Sequence, residues 1–130
     1  MPATYLDSSA IVKLAIKEPQ SESLRRYLRT RRPLISSSLA RTEVSRALLL
    51  EGEDGVARGN AVLARLDLMR VSDRILEAAG TMLPVGLRFL DAIHLATAQR
   101  LGVDLSVVVT YDIRMIETAR HLGIKTASPG

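Results

Sequence analysis

Four acidic side chains in this chain stand where a carboxylate needs a reason. Asp7 directly follows the short apolar run that ends Thr4, Tyr5, Leu6, and Asp112 directly follows LSVVVTY. If both runs are strands of one parallel sheet, both acids sit at strand carboxyl ends, the edge where open α/β sheets bind ligands. Glu43 lies in SSSLARTEVSRALL, three residues after Ala40 and four before Ala47. That spacing puts it on the apolar stripe made by Leu39, Ala40, Val44, Ala47 and Leu48. Asp91 lies in LRFLDAIHLATAQRL, in the first turn of a predicted helix and among Phe89, Leu90, Ala92, Ile93, Leu95 and Ala96.

Each acid has an ordinary explanation by itself. Asp7 and Asp112 suit helix N-caps, Asp91 complements a helix dipole, and Glu43 could pair with an arginine. Together they point elsewhere, because two strand ends on one edge and two inward-facing helix acids can converge on one pocket. Clustered carboxylates do not ionise together without a compensating cation. An open, oxygen-rich acidic set suits Mg²⁺ or Mn²⁺, which keep several waters for chemistry. Such an ion can orient a phosphodiester, lower the pKa of an attacking water and neutralise transition-state charge. Other acids, such as Glu18, Glu22, Glu51, Glu53, Asp54, Asp67 and Asp104, fall in polar stretches and need no such account. Thiolate sites and disulfides are excluded by the absence of cysteine, and the nitrogen ligands on offer are His94 and His121. His94 follows Asp91 by one turn, so an Asp/His site is conceivable, whereas His121, just before Gly123, suits a helix C-terminus.

The elements that must position these residues can be read from punctuation and periodicity. Strand 3–6 is followed by helix 9–18, stopped near Pro19, and by helix 20–30, strand 34–36 and helix 39–51, ended by Gly52. GEDG reads as a loop, followed by helix 56–66, strand 68–71 and a helix from an N-cap at Ser72 to about Met82. After Pro84 and Gly86 come helix 88–101, strand 105–110, helix 113–121 closed by Gly123, and a final edge strand 124–127. Strands alternating with helices imply parallel pairing, and the non-alternating LSVVVT suits a strand covered on both faces. The prediction is a three-layer α/β/α fold with a central parallel sheet, a single domain over 1–130, since 130 residues at 47% apolar content suffice for one core. No stretch is long and apolar enough to span a bilayer and the start does not resemble a signal peptide, so a cytoplasmic location without membrane contact is expected. The net charge of +4 is compatible with a polyanionic partner. Arg25, Arg26, Arg29, Arg31 and Arg32 crowd around Tyr27, either as a solvated helix end or as a phosphate-contacting patch.

The order TYLDSSAIVKL, SSLARTEVSRALL, LRFLDAIHLATAQRLG, VVVTYDIRMIETARHLGIKTASP resembles the PIN-domain family over essentially the whole chain. Among its branches it looks most like the VapC-type toxins of bacterial toxin–antitoxin pairs. The resemblance implies a PIN-like α/β/α domain acting as a Mg²⁺- or Mn²⁺-dependent ribonuclease, with Asp7, Glu43, Asp91 and Asp112 as the catalytic, metal-binding acids. Asp7 and Asp91 would be the firmest ligands and Asp112 the most variable station. Ser9 and Thr110 fall where the family often keeps a hydroxyl near the acids, and His94 is a common family feature without being its usual catalytic residue. Also implied are a homodimer and a small antitoxin that blocks the cleft, with a helical hairpin over about 54–82 as the expected contact region. A phosphotransfer receiver fits poorly, because Ser8 and Ser9 follow Asp7 and Lys125 is its one late lysine. A haloacid-dehalogenase-like phosphatase would need an Asp at position 9. The rival on the same fold is a PIN-like module that binds RNA or a protein without cutting.

Overall fold

A computed structural model describes residues 2–130. Five parallel strands, β1 (Ala3–Leu6), β2 (Leu34–Ser37), β3 (Asp67–Met69), β4 (Leu105–Val109) and β5 (Thr126–Ala127), form one sheet in the order β3-β2-β1-β4-β5. The helices are α1 (Ser8–Ala15), α2 (Ser21–Leu28), α3 (Ala40–Ala47), α4 (Gly52–Leu63), α5 (Asp73–Gly80), α6 (Phe89–Gln99) and α7 (Ile113–His121). The three-layer α/β/α architecture and the central parallel sheet follow the sequence reading.

Strand alternation divides the core in two. Leu6, Val107 and Val109 face one side and pack with Ala10, Ile11, Leu24, Val44, Leu48 and Leu63 from α1 to α4. Tyr5 and Val108 face the other side, against Ala98 of α6. α6 is clamped in turn by Ile75 of α5 and by Met115 and Ala119 of α7. β1 at the centre is buried along its whole length, as a strand flanked by neighbours on both edges and helices on both faces must be. No helix among the described residues is long and apolar enough to cross a membrane.

Four expectations need correction. GEDG is not a loop: Gly52, at φ 75°, terminates a 3-10 turn (Leu49–Glu51) and at once opens α4, with Glu53 and Asp54 in its first turn. Acids there complement the helix dipole, so loop-like composition is in fact a helix start. The predicted helix 39–51 is α3 plus that 3-10 turn, broken at Leu48. The segment over 54–82 is no hairpin, since β3 separates α4, which packs on α1 and α3, from α5, which packs on α6. The last strand is shorter than 124–127, because Ile124 is bonded to Ala119 in the turn that closes α7.

The α3–α4 contact is close because α4 carries glycine there. A Cβ at Gly59 would come within 2.7 Å of Leu48 Cδ1 and 3.0 Å of Val44 Cγ1. Gly59→Val should therefore destabilise the fold by about 1–3 kcal/mol through overpacking, read as a lower urea midpoint. Gly80→Ala, in open space at the end of α5, should not.

Candidate active site

All four predicted acids line one cleft at the carboxyl edge of the sheet, about 390 Å³ in volume, together with Ser8, Ser9, Arg88 and His94. The topology explains the convergence: β1 and β4 are neighbours, and the helix starts that follow them carry Asp7 and Asp112. α3 and α6 bring Glu43 and Asp91 from the sheet's two faces.

Asp7 is both the N-cap of α1 and a cleft residue. Its Oδ1 accepts from Ser9 Oγ at 2.6 Å and Ala10 N at 3.1 Å, and its Oδ2 accepts from Thr110 Oγ1. Ser9 Oγ in turn accepts from Tyr111 N at 3.0 Å, which ties α1 to the segment after β4. The expected hydroxyls near the acids are thus in place. Burial pushes the Asp7 carboxyl above the usual carboxylate range, although these donors favour its charge. Asp91, 8% exposed, is likewise raised, first by burial, with Arg88 opposing.

Glu43 is handled differently. Its Oε1 accepts from His94 Nε2 at 2.6 Å and from Ser8 Oγ at 2.6 Å. Burial alone would raise its pKa, but His94 and Ser8 outweigh that and hold it below the ordinary range. His94 is buried on α6, and its Nδ1 lies 2.7 Å from Tyr5 OH. Because Tyr5 is fully buried and its hydroxyl is held well above the ordinary phenol range, chiefly by burial, it stays a donor. With Tyr5 donating to Nδ1 and Nε2–H donating to Glu43, both ring nitrogens are satisfied. His94 therefore orients Glu43 and is not itself presented as a ligand. His121 lies outside the cleft, with Nδ1 2.9 Å from Glu117 O in the last turn of α7.

Asp112 caps α7, with Oδ1 accepting from Arg114 N at 2.9 Å. Its Oδ2 accepts from Arg88, whose Nε also donates to Asp91 Oδ2 at 2.9 Å. Arg88, Ser8 and Tyr5 are site residues that the sequence reading passed over. For Arg88 a signal existed: a cation at a helix start opposes the dipole and so stands out in LRFLD.

Two chemical features bear on a cation. The donors are hard oxygens, and burial makes charge on Asp7 and Asp91 costly, which a bound cation would relieve. Among the described residues, however, no three or more His, Asp or Glu side chains are already disposed as a ligand set. The residues fit a divalent ion once side chains adjust, Arg88 above all.

Comparison with known proteins adds independent findings. The profile described as PIN domain matches residues 4–121. The chain is 61% identical over 129 residues to Ribonuclease VapC46 of Mycobacterium tuberculosis (strain ATCC 25618 / H37Rv), covering 99% of each. It is 41% identical over 130 residues to Ribonuclease VapC35 of the same strain, covering 97% of this chain and 96% of the relative. The crystal structure of Mycobacterium tuberculosis VapC20, a Sarcin-Ricin loop cleaving toxin, superposes with a TM-score of 0.77 at 17% identity, covering 98% of this chain and 100% of that one. VapBC2 from Rickettsia felis, bound to a DNA fragment from its promoter, gives 0.73 at 15% identity, covering 98% and 99%.

The buried contact behind Glu43 can be tested by stability alone. Tyr5→Phe strips His94 Nδ1 of its donor and should cost about 1–3 kcal/mol, the scale for a buried polar atom left unpaired. Urea unfolding is the measurement, with Tyr111→Phe, whose hydroxyl is bonded to Pro129 O near the surface, expected to cost less.

Proposed function

This chain belongs to the PIN-domain family, as a VapC-type toxin ribonuclease, and we propose that its acidic cleft hydrolyses RNA phosphodiester bonds with a Mg²⁺ or Mn²⁺ ion. The observation that carries this reading is the convergence of Asp7, Glu43, Asp91 and Asp112 on one cleft. Asp7 and Asp91 would hold the ion, with Glu43 and Asp112 completing the set. When bound, such an ion polarises a phosphoryl oxygen and makes water a competent nucleophile near neutral pH.

The chain's own groups do the rest. Ser9, Thr110 and the Ala10 amide fix the Asp7 carboxylate so that its orientation is set before substrate arrives. His94 and Ser8 keep Glu43 ionised and aimed into the cleft. A pure binding module would gain nothing from four carboxylates facing an anionic ligand, which argues for cutting over binding alone.

A second surface supports an RNA substrate. Arg25, Arg29, Arg32 and Arg65 rim a cleft of about 260 Å³ floored by Leu28 and Leu34. It lies where α2 and α4 end and β2 begins, the sheet edge opposite the acids. None of the four arginines is in an ion pair among the described residues. The sequence cluster divides here, because Arg31 stacks on Tyr27 with its guanidinium carbon 4.0 Å from the ring centroid, and Arg26 lines no part of this cleft.

For partners, we propose a cognate antitoxin that covers the acidic cleft and a homodimer of this chain. Solved neighbours include a toxin–antitoxin complex from Klebsiella pneumoniae, and Phe89 at the cleft is exposed apolar surface, preceded in the chain by exposed Leu83 and Val85.

The deciding experiment is cleavage of a mixed cellular RNA preparation by the purified chain with Mg²⁺ or Mn²⁺ against excess EDTA. Asp91→Asn should lower cleavage by on the order of 100-fold or more with its circular dichroism unchanged; RNA binding without cutting under every ion condition would favour the binding module. Replacing Arg25, Arg29 and Arg32 together by Gln should flatten the dependence of log affinity on log salt by about 0.7 for each phosphate of single-stranded RNA that is no longer neutralised, with Mn²⁺ affinity intact. An unchanged slope would return these arginines to ordinary solvated surface.

A further inference from the structure

Arg88 is placed against the electrostatics of its own helix. It is the N-cap residue of α6, where the dipole disfavours a cation, yet its guanidinium turns back into the acidic cleft. There Nε donates to Asp91 Oδ2 at 2.9 Å, and Nη2 contacts both Asp91 Oδ2 and Asp112 Oδ2. Asp112 spends Oδ1 on the backbone of α7 at Arg114 and Met115, so Oδ2 is the oxygen it has left for the cleft. Arg88 therefore occupies one carboxylate oxygen on each of two acids that would serve a divalent ion. Among the described residues its side-chain hydrogen bonds and ion pairs are to these two acids alone, and the side chain is 52% exposed. Burying a carboxylate such as Asp91 without any cation would be costly, which is the reason for a positive group here when no metal is bound.

Resting on the metal-dependent reading above, we propose that Arg88 is the cleft's resident counter-cation, competing with the divalent ion for Asp91 and Asp112, and that once displaced it faces an RNA phosphate at the cleft mouth. A half-exposed arginine tethered only by two carboxylates can exchange them for a phosphate, to which its planar fork is equally suited. Arg88 so acts twice, holding the acids in a defined arrangement before the ion arrives and offering the substrate a cation afterwards.

The test is calorimetric titration of Mn²⁺ into the full chain as wild type, Arg88→Gln and Arg88→Lys, followed by KM and kcat on RNA. Arg88→Gln should bind Mn²⁺ about tenfold more tightly or better, the scale on which a neighbouring opposite charge shifts a carboxylate equilibrium. Arg88→Lys, which restores the charge, should return affinity toward wild type. KM for RNA should rise in Arg88→Gln with kcat changed much less. Mn²⁺ affinity that is equal or weaker in Arg88→Gln overturns the competition while leaving the nuclease reading standing. Mn²⁺ binding by none of the three proteins overturns the metal pocket and this role together. Tighter Mn²⁺ binding with unchanged KM overturns the phosphate contact.

Discussion

Everything around the cleft answers one constraint, the cost of placing several carboxylates together at the partly buried carboxyl edge of a parallel sheet. Charge there is disfavoured by burial and by mutual repulsion, and the chain meets the problem differently at each acid. Asp7 is given hydrogen-bond donors from Ser9, Thr110 and the Ala10 amide. Glu43 is given a histidine that is itself fixed by a core tyrosine. Asp91 and Asp112 share one arginine. These solutions differ in how reversible they are. The donors of Asp7 and Glu43 include the buried Thr110, Ala10 and His94, whereas the side chain of Arg88 is half exposed, and the proposed exchange of its partners rests on that difference. The division fits a site in which two acids must keep their orientation and two must be able to change partners.

The same fold separates charge of opposite sign along the strand axis. In an all-parallel sheet every strand ends on one edge and each helix that directly follows a strand starts there, so N-caps and first-turn acids gather at that edge. Asp7, Asp112 and Asp91 are of this kind. Helix ends and strand starts collect at the other edge, and arginine is favoured there for the complementary reason. Arg25 and Arg29 at the end of α2, with Arg65 just beyond α4, follow that logic. Local capping preference thus supplies much of the polarity that the proposed activity uses, and capping and function are not rival explanations of the same carboxylate.

The convergence of the four acids was legible because it depends on short-range pattern: apolar runs mark strands whose carboxyl ends lead into Asp7 and Asp112, and period 3.6 turns Glu43 and Asp91 inward. The succession of strands and helices, and the three layers it implies, were legible for the same reason. What escaped depends on tertiary approach. Tyr5 and His94 are 89 residues apart, and Arg88 and Asp112 are 24 apart, so no local pattern pairs them. The start of α4 escaped because its composition, two glycines and two acids, is shared by loops and by helix first turns. Only the positive φ of Gly52 decides between them.

A structural neighbour at 17% identity with a TM-score of 0.77 shows that this fold is reached by widely different sequences. A layered parallel sheet tolerates extensive exchange of apolar residues as long as volume and pattern persist. The cleft adds a stricter geometric demand, since three of its acids rely on a partner outside their own element: Asp7 on Thr110 after β4, Glu43 on His94 of α6, and Asp112 on Arg88 at the α6 start. Changing an element's position by a fraction of its packing distance would break these hydrogen bonds before it disturbed the core. The packing of α3 against α4 through Gly59 is therefore tied to the site as well as to stability, because Val44, which that contact holds, is the chain neighbour of Glu43.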